Sequence, residues 1–145
     1  MQSIVGTWKL LYANARDAAG AARPLPYGGK ALGRVTFIAD GCMMSVVCDG
    51  RKELPAGVSR EYSSYCGNYT YDGERLVTRV DAASDPTRIG SDQVRGVRLV
   101  GERMVLVPPP PDRRRRGTPG DHLGAHGGGV DPTRNRKFES ISLQR

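Results

Sequence analysis

The sequence predicts an all-β protein, an eight-stranded antiparallel up-and-down barrel. Three observations carry this. Eight short runs of β-forming residues are each closed by turn chemistry. Two of the junctions are Asp-Gly pairs, Asp40-Gly41 and Asp72-Gly73, a strong short-range hairpin signal. No stretch sustains helical periodicity, while Gly and Pro supply 19 and 10 of the 145 residues, which suits a chain of turns. Closing eight sequential strands on themselves removes the unpaired edges that an open sheet would expose.

The first strand is read from about Gly6 to Asn14, with Trp8, Leu10 and Tyr12 on one face and Lys9 opposite. It ends in Arg16-Asp17-Ala18-Ala19-Gly20, a turn composition. The stretch from Arg23 to Gly29 is too rich in Pro and Gly for a strand or helix interior, and it is placed to cover one end of the barrel. Strands two (Gly33 to Ile38) and three (Cys42 to Cys48) flank Ala39-Asp40-Gly41. Residues 50–60 are polar and irregular, with room for one short helical turn. Strand four, Tyr62 to Tyr71, is dense in tyrosine and turns at Asp72-Gly73 into strand five, Leu76 to Asp81. A polar loop with Asp85-Pro86 as turn initiator leads to strand six, Ser91 to Val100. Strand seven is Met104 to Val107 and strand eight Phe138 to Arg145. Between them the prolines, arginines and glycines forbid regular structure.

These bounds give one domain, residues 1–145, with a Pro/Gly/Arg-rich loop at about 108–135. The net charge of +7 suggests nucleic acid until it is located. Arg113 to Arg116, Arg134, Arg136, Lys137 and Arg145 carry most of it, and the stretch from Pro108 to Lys137 has no aromatic residues to stack bases, so a solvated loop is expected and nucleic-acid binding is not. No apolar run is long enough to span a membrane. The three cysteines, Cys42, Cys48 and Cys66, are odd in number and lack metal spacing, so free thiols in a reducing compartment are expected, with no metal site. The N-terminus lacks a basic segment followed by an apolar one, so the cytoplasm is the expected compartment. A homodimer is compatible with this reading.

Several segments resemble the bacterial lipocalin-like domain family. They are Gly6-Thr7-Trp8-Lys9-Leu10, the Ala39-Asp40-Gly41 turn with Met43, and the stretch Tyr62 to Tyr69. Gly90-Ser91-Asp92-Gln93-Val94-Arg95 and Gly101 to Leu106, running into Pro108-Pro109, continue the match over roughly residues 3–109. The resemblance implies a lipocalin-like barrel in which Gly6 turns the chain into the wall and Trp8 plugs the closed end. The chain departs from the family at Thr78-Arg79, where a His is frequent, and at Arg88, where an aromatic is frequent. Its stretch from Pro111 to Arg134 is longer than usual for the family.

Strand alternation gives candidate interior positions. Tyr65, Gly67, Tyr69 and Tyr71 share one face of strand four; Gln93, Arg95, Val97 and Leu99 share one face of strand six. An interior Arg95 must be paired, or must meet a polar or anionic ligand. One reading has Arg95 stacked on Trp8 and bracing the barrel floor, with the tyrosines as wall filling. The other has Gln93, Arg95 and tyrosines binding a phenol, carbonyl or carboxylate. The ligand-binding candidates are Trp8, Tyr12, Tyr69, Thr78, Arg79 and Gln93. The catalytic candidates are Tyr65 and Arg95 as donors, and Asp81, His122 or His126 as acid–base groups.

His122 and His126 are four residues apart, but the glycines around them forbid the helix that a zinc site would need. They sit in a long loop that either is disordered or covers the barrel mouth. No nucleophilic triad, phosphate loop or dinucleotide fingerprint is present in the sequence, so no organic cofactor is expected. Two functions remain. One is a cofactor-independent enzyme, a lyase, isomerase or cyclase acting by acid–base chemistry on an aromatic or polyketide-like substrate. The other is a non-catalytic binder or carrier of a small hydrophobic ligand.

Overall fold

The computed structural model describes residues 1–16, 21–22, 24–109 and 138–145. Eight strands close into a barrel in sequence order, each antiparallel to its neighbours, with β8 pairing back onto β1. The strands are β1 (Gly6–Arg16), β2 (Ala31–Phe37), β3 (Cys42–Asp49), β4 (Tyr62–Tyr71), β5 (Arg75–Ala83), β6 (Asp92–Val100), β7 (Arg103–Val107) and β8 (Phe138–Gln144). Short 3-10 turns at Pro26–Gly29 and Pro86–Arg88 are the helical elements among the described residues. The fold class expected from the sequence holds, and the strand bounds shift by a few residues.

Topology sorts the two ends. The β2–β3, β4–β5 and β6–β7 turns gather at one end, the floor, with the residues that precede β1. The other connections gather at the mouth, where β7 stops and β8 starts. Gly6 enters the wall at φ +136°, which favours glycine, as the sequence suggested. Trp8, Phe37, Met43, Met104 and Leu143, each at most 2% exposed, fill the interior toward the floor. The Trp8 Nε1–H donates to the Ile4 carbonyl at 2.8 Å, so the buried indole leaves no polar atom unpaired.

The floor brace differs from one of the two readings of Arg95. The guanidinium over the Trp8 ring, 4.6 Å from its centroid, belongs to Arg145 and not to Arg95. Arg145 also donates to the Ser3 carbonyl at 2.7 Å, tying the two chain ends across the floor. The physical reason is register. Lys9 pairs with Gln144, so the residue after β8 lands beside the start of β1.

A second correction concerns β1. Its pairing with β8 slips between Leu10 and Tyr12, leaving Leu11 as an extra residue. Such a bulge inverts the alternation beyond it. Trp8, Leu10, Ala13 and Ala15 therefore face inward, and Tyr12 is 51% exposed on the outside. A ligand inside the barrel does not reach the Tyr12 side chain.

Candidate functional site

The interior is packed at the floor and keeps a polar cavity at the mouth. Its volume is about 40 Å³, and Tyr27, Ser45, Ser63, Tyr65, Arg88 and Arg95 line it together with Val47, Leu106 and Ile141. Each side chain has a local reason to be there. Tyr65 comes from the inward face of β4, whose alternation is as expected, and packs against the core with Tyr69 and Tyr71. Arg95 comes from β6, where Gln93 and Val97 are buried on the same face. Arg88 ends the second 3-10 turn, which Asp85 caps by accepting from the Thr87 N–H at 3.0 Å.

Tyr27 closes the mouth from above. It belongs to the four-residue turn between β1 and β2 and is 6% exposed, part of the main core cluster. Its backbone is left-handed, φ 56° and ψ 36°, a conformation that a Cβ disfavours. The turn is clamped from the β3–β4 loop. The Tyr27 N–H donates to Glu61 Oε2 at 3.3 Å. Arg51 lies so close to Gly28 that any side chain there would collide with its guanidinium. Arg51 is itself held by the buried Asp49 carboxylate, with Nη2 to Oδ2 at 2.7 Å. Arg51 hydrogen-bonding holds the Asp49 carboxyl below the usual carboxylate range. Arg60 donates to the Asp49 and Arg51 carbonyls at 2.7 and 2.6 Å, which completes the clamp.

The electrostatics of the cavity are one-signed. Burial pushes the Tyr65 phenol above its ordinary pKa, and Arg95 and Arg88 pull it partly back. The phenol is therefore a proton donor at neutral pH. Among the described residues neither Arg88 nor Arg95 forms an ion pair, and no carboxylate lines the cavity. A group of donors around a small space suits an oxygen that carries or develops negative charge.

The structure divides the residues singled out from the sequence. Tyr65 and Arg95 meet at the cavity. Thr78 and Gln93 pair in register between β5 and β6 and are buried, but they lie among packed side chains outside the cavity lining. Tyr69 is a packing residue at the floor side: its ring stands edge-on to Phe37 at 5.1 Å and its hydroxyl donates to the Ile38 carbonyl at 3.0 Å. Trp8 is the floor plug and is likewise remote from the cavity lining. Arg79 and Asp81 correct the expectation. Both alternate outward from buried Thr78 and Val80, so they stand on the outer wall. Arg79 pairs there with Asp92 at 3.4 Å, and Asp81 is the unpaired residue of a bulge opposite Cys66–Gly67. His122 and His126 lie outside the described residues.

The outer wall also holds the thiols. Cys42, Cys48 and Cys66 are free and half-buried. The Cys66 Sγ donates to Asp81 Oδ1 at 3.4 Å, and that carboxylate, followed by burial, pushes the thiol up, which makes it a poor nucleophile. A groove beside it, lined by Met44, Val46, Tyr62 and Ala82, is wider than the mouth cavity but open along its length. It would bury little of a small molecule.

Four contributors escaped the sequence reading: Tyr27, Arg88, Ser45 and Ser63. An aromatic residue set among Pro26, Gly28 and Gly29 is the signal that pointed to Tyr27, because a turn seldom carries a large ring without anchoring it. Arg88 stands where the family often has an aromatic, a departure that the sequence reading noted without placing Arg88 at the site. Ser45 and Ser63 gave no signal.

No curated protein and no solved structure matches the chain. The family model of the lipocalin-like domain matches residues 5–111, which include β1 to β7 and every side chain of the mouth cavity except Ile141. With that match and the closed eight-stranded barrel, the chain belongs to the lipocalin-like domain family.

Proposed function

We propose that this chain holds one small, partly apolar molecule in the mouth of its barrel. The observation that carries the reading is the partly enclosed cavity in which Tyr65, Arg88 and Arg95 meet above a filled floor. Eight-stranded barrels have interior space for one small ligand. Val47, Leu106 and Ile141 supply apolar wall, and the donors supply orientation. The free thiols suit a reducing compartment, which supports the cytoplasm as the place of action.

The finer reading is cofactor-independent proton transfer: isomerisation, cyclisation, dehydration or another lyase step on an aromatic or polyketide-like substrate. A protonated Tyr65 beside two guanidiniums supports it, because such a group stabilises an enolate-like oxygen in the transition state. Neither a carboxylate nor a histidine is among the described lining residues, so the base comes from elsewhere. His122 and His126 are the candidates that the sequence offers. The carrier reading uses the same pocket without a base.

Solvent-deuterium exchange into an aromatic β-diketone, followed by NMR, separates the two. The enzyme reading expects exchange faster than in buffer and slowed about 10²-fold by Tyr65→Phe. Exchange equal to buffer contradicts catalysis and leaves the carrier. A protein from cell extract that retains no small molecule in native mass spectrometry, and takes up no apolar dye, contradicts both.

A further inference from the structure

We infer that the ligand is an aromatic carboxylate, its head between Arg88 and Arg95 and its ring in the place of the Tyr27 phenol. The inference rests on the small-molecule reading above and names the class of molecule.

The head follows from charge and donors. Every polar side chain on the cavity, Ser45, Ser63, Tyr65, Arg88 and Arg95, offers a hydrogen. Two guanidiniums face one small space, and neither has a carboxylate partner among the described residues. One anion between them relieves their mutual repulsion and is fixed by charge-assisted hydrogen bonds. A planar carboxylate matches the guanidinium fork, and a cavity of about 40 Å³ admits a group of that size and little more.

The ring follows from space. With the head in place, the body of the ligand must lie where the mouth is now filled, and Tyr27 fills it. Tyr27 belongs to the same buried cluster as Val47 and Leu106, with Ile141 packed against that cluster, and this apolar surface suits an aromatic ring. Tyr27 is also suited to leave. It rides on a four-residue turn in a left-handed conformation that a Cβ disfavours, and the contacts of Glu61 and Arg51 hold the turn in that conformation. A ligand ring that replaces it keeps the apolar contacts and lets the turn relax. Tyr27 is then a competitor for the site, and its removal strengthens binding.

Calorimetric titration with 3-phenylpropionate and with 3-phenylpropionamide tests this at neutral pH. The acid is expected to bind at least about tenfold more tightly than the amide, the effect of a charged hydrogen-bond acceptor. Arg95→Gln should abolish that preference while the amide binds as before, and Arg88→Gln should reduce it, which keeps the test open if one variant does not fold. Tyr27→Gly should tighten both ligands. Equal affinity of acid and amide overturns the proposal, as does binding of neither while a neutral dye such as Nile red enters the barrel. Exclusion of the dye as well, even from Tyr27→Gly, overturns the small-molecule reading itself.

Discussion

Replacing Tyr27 by alanine and by glycine separates what its ring contributes from what its backbone costs. The ring is 6% exposed, and deleting a buried aromatic side chain costs about 3–5 kcal/mol. Both variants lose it. They differ in the backbone: at φ 56° alanine keeps a left-handed cost of about 1 kcal/mol, and glycine does not. Elsewhere in an ordered chain the order is reversed, because glycine gives up more conformational freedom and is the less stable residue by roughly 0.5–1 kcal/mol. Tyr27→Gly should therefore be more stable than Tyr27→Ala, by about 1 kcal/mol at most, or about 3 °C in melting temperature. Urea unfolding followed by fluorescence of Trp8, the single tryptophan, reads both variants with the same probe. Equal or greater stability of the alanine variant would refute the strained-turn account. Stability of both variants close to that of the unaltered protein would refute the burial of the ring.

Three further outcomes follow from the same structure. Trp8→Ala removes the floor plug and should cost about 3–5 kcal/mol, whereas Arg145→Ala removes a cation over its face and one exposed hydrogen bond to Ser3 and should cost about 0.5–1 kcal/mol; denaturant midpoints check both. The Asp49 carboxyl is held below its ordinary value of 3.8 by Arg51, so its contribution to stability is complete above that pH and is lost as pH falls through the lower, folded-state value. Unfolding curves of the unaltered protein and Asp49→Asn should differ at neutral pH and converge in acid; a constant gap would contradict the clamp. Asp81→Asn should speed alkylation of Cys66 by iodoacetamide at pH 8, since the carboxylate is the first cause of its raised pKa, and an unchanged rate would remove Asp81 from that account.

The barrel was legible because its code is local. Period-two alternation and the turns at Asp40-Gly41 and Asp72-Gly73 gave strand order, and the tyrosines of β4 fell on the face predicted. The site was less legible, because a cavity depends on where alternation is broken and on which residues the topology brings together. One extra residue, Leu11, carried Tyr12 out of the interior, and nothing in the local sequence marks it. Adjacent residues cannot share a face of a regular strand, so naming both Thr78 and Arg79 as ligand-binding candidates had to place one of them on the outer wall, and that one is Arg79. Arg95 lines the mouth cavity, and the alternative that set it over Trp8 fails because the register that places Arg145 there spans the whole chain. Tyr27 and Arg88 come from loops, whose position is fixed by caps and clamps such as Asp85 and the Asp49–Arg51 pair.

The central claim is that a small molecule binds inside the mouth, against Tyr65 and Arg95. A crystal structure of the protein with a bound small ligand tests it most directly. The account predicts one molecule between these two side chains, with Tyr27 moved out of the core. A ligand on the outer wall against Met44, Val46 and Tyr62, over an unchanged and closed mouth, would contradict it.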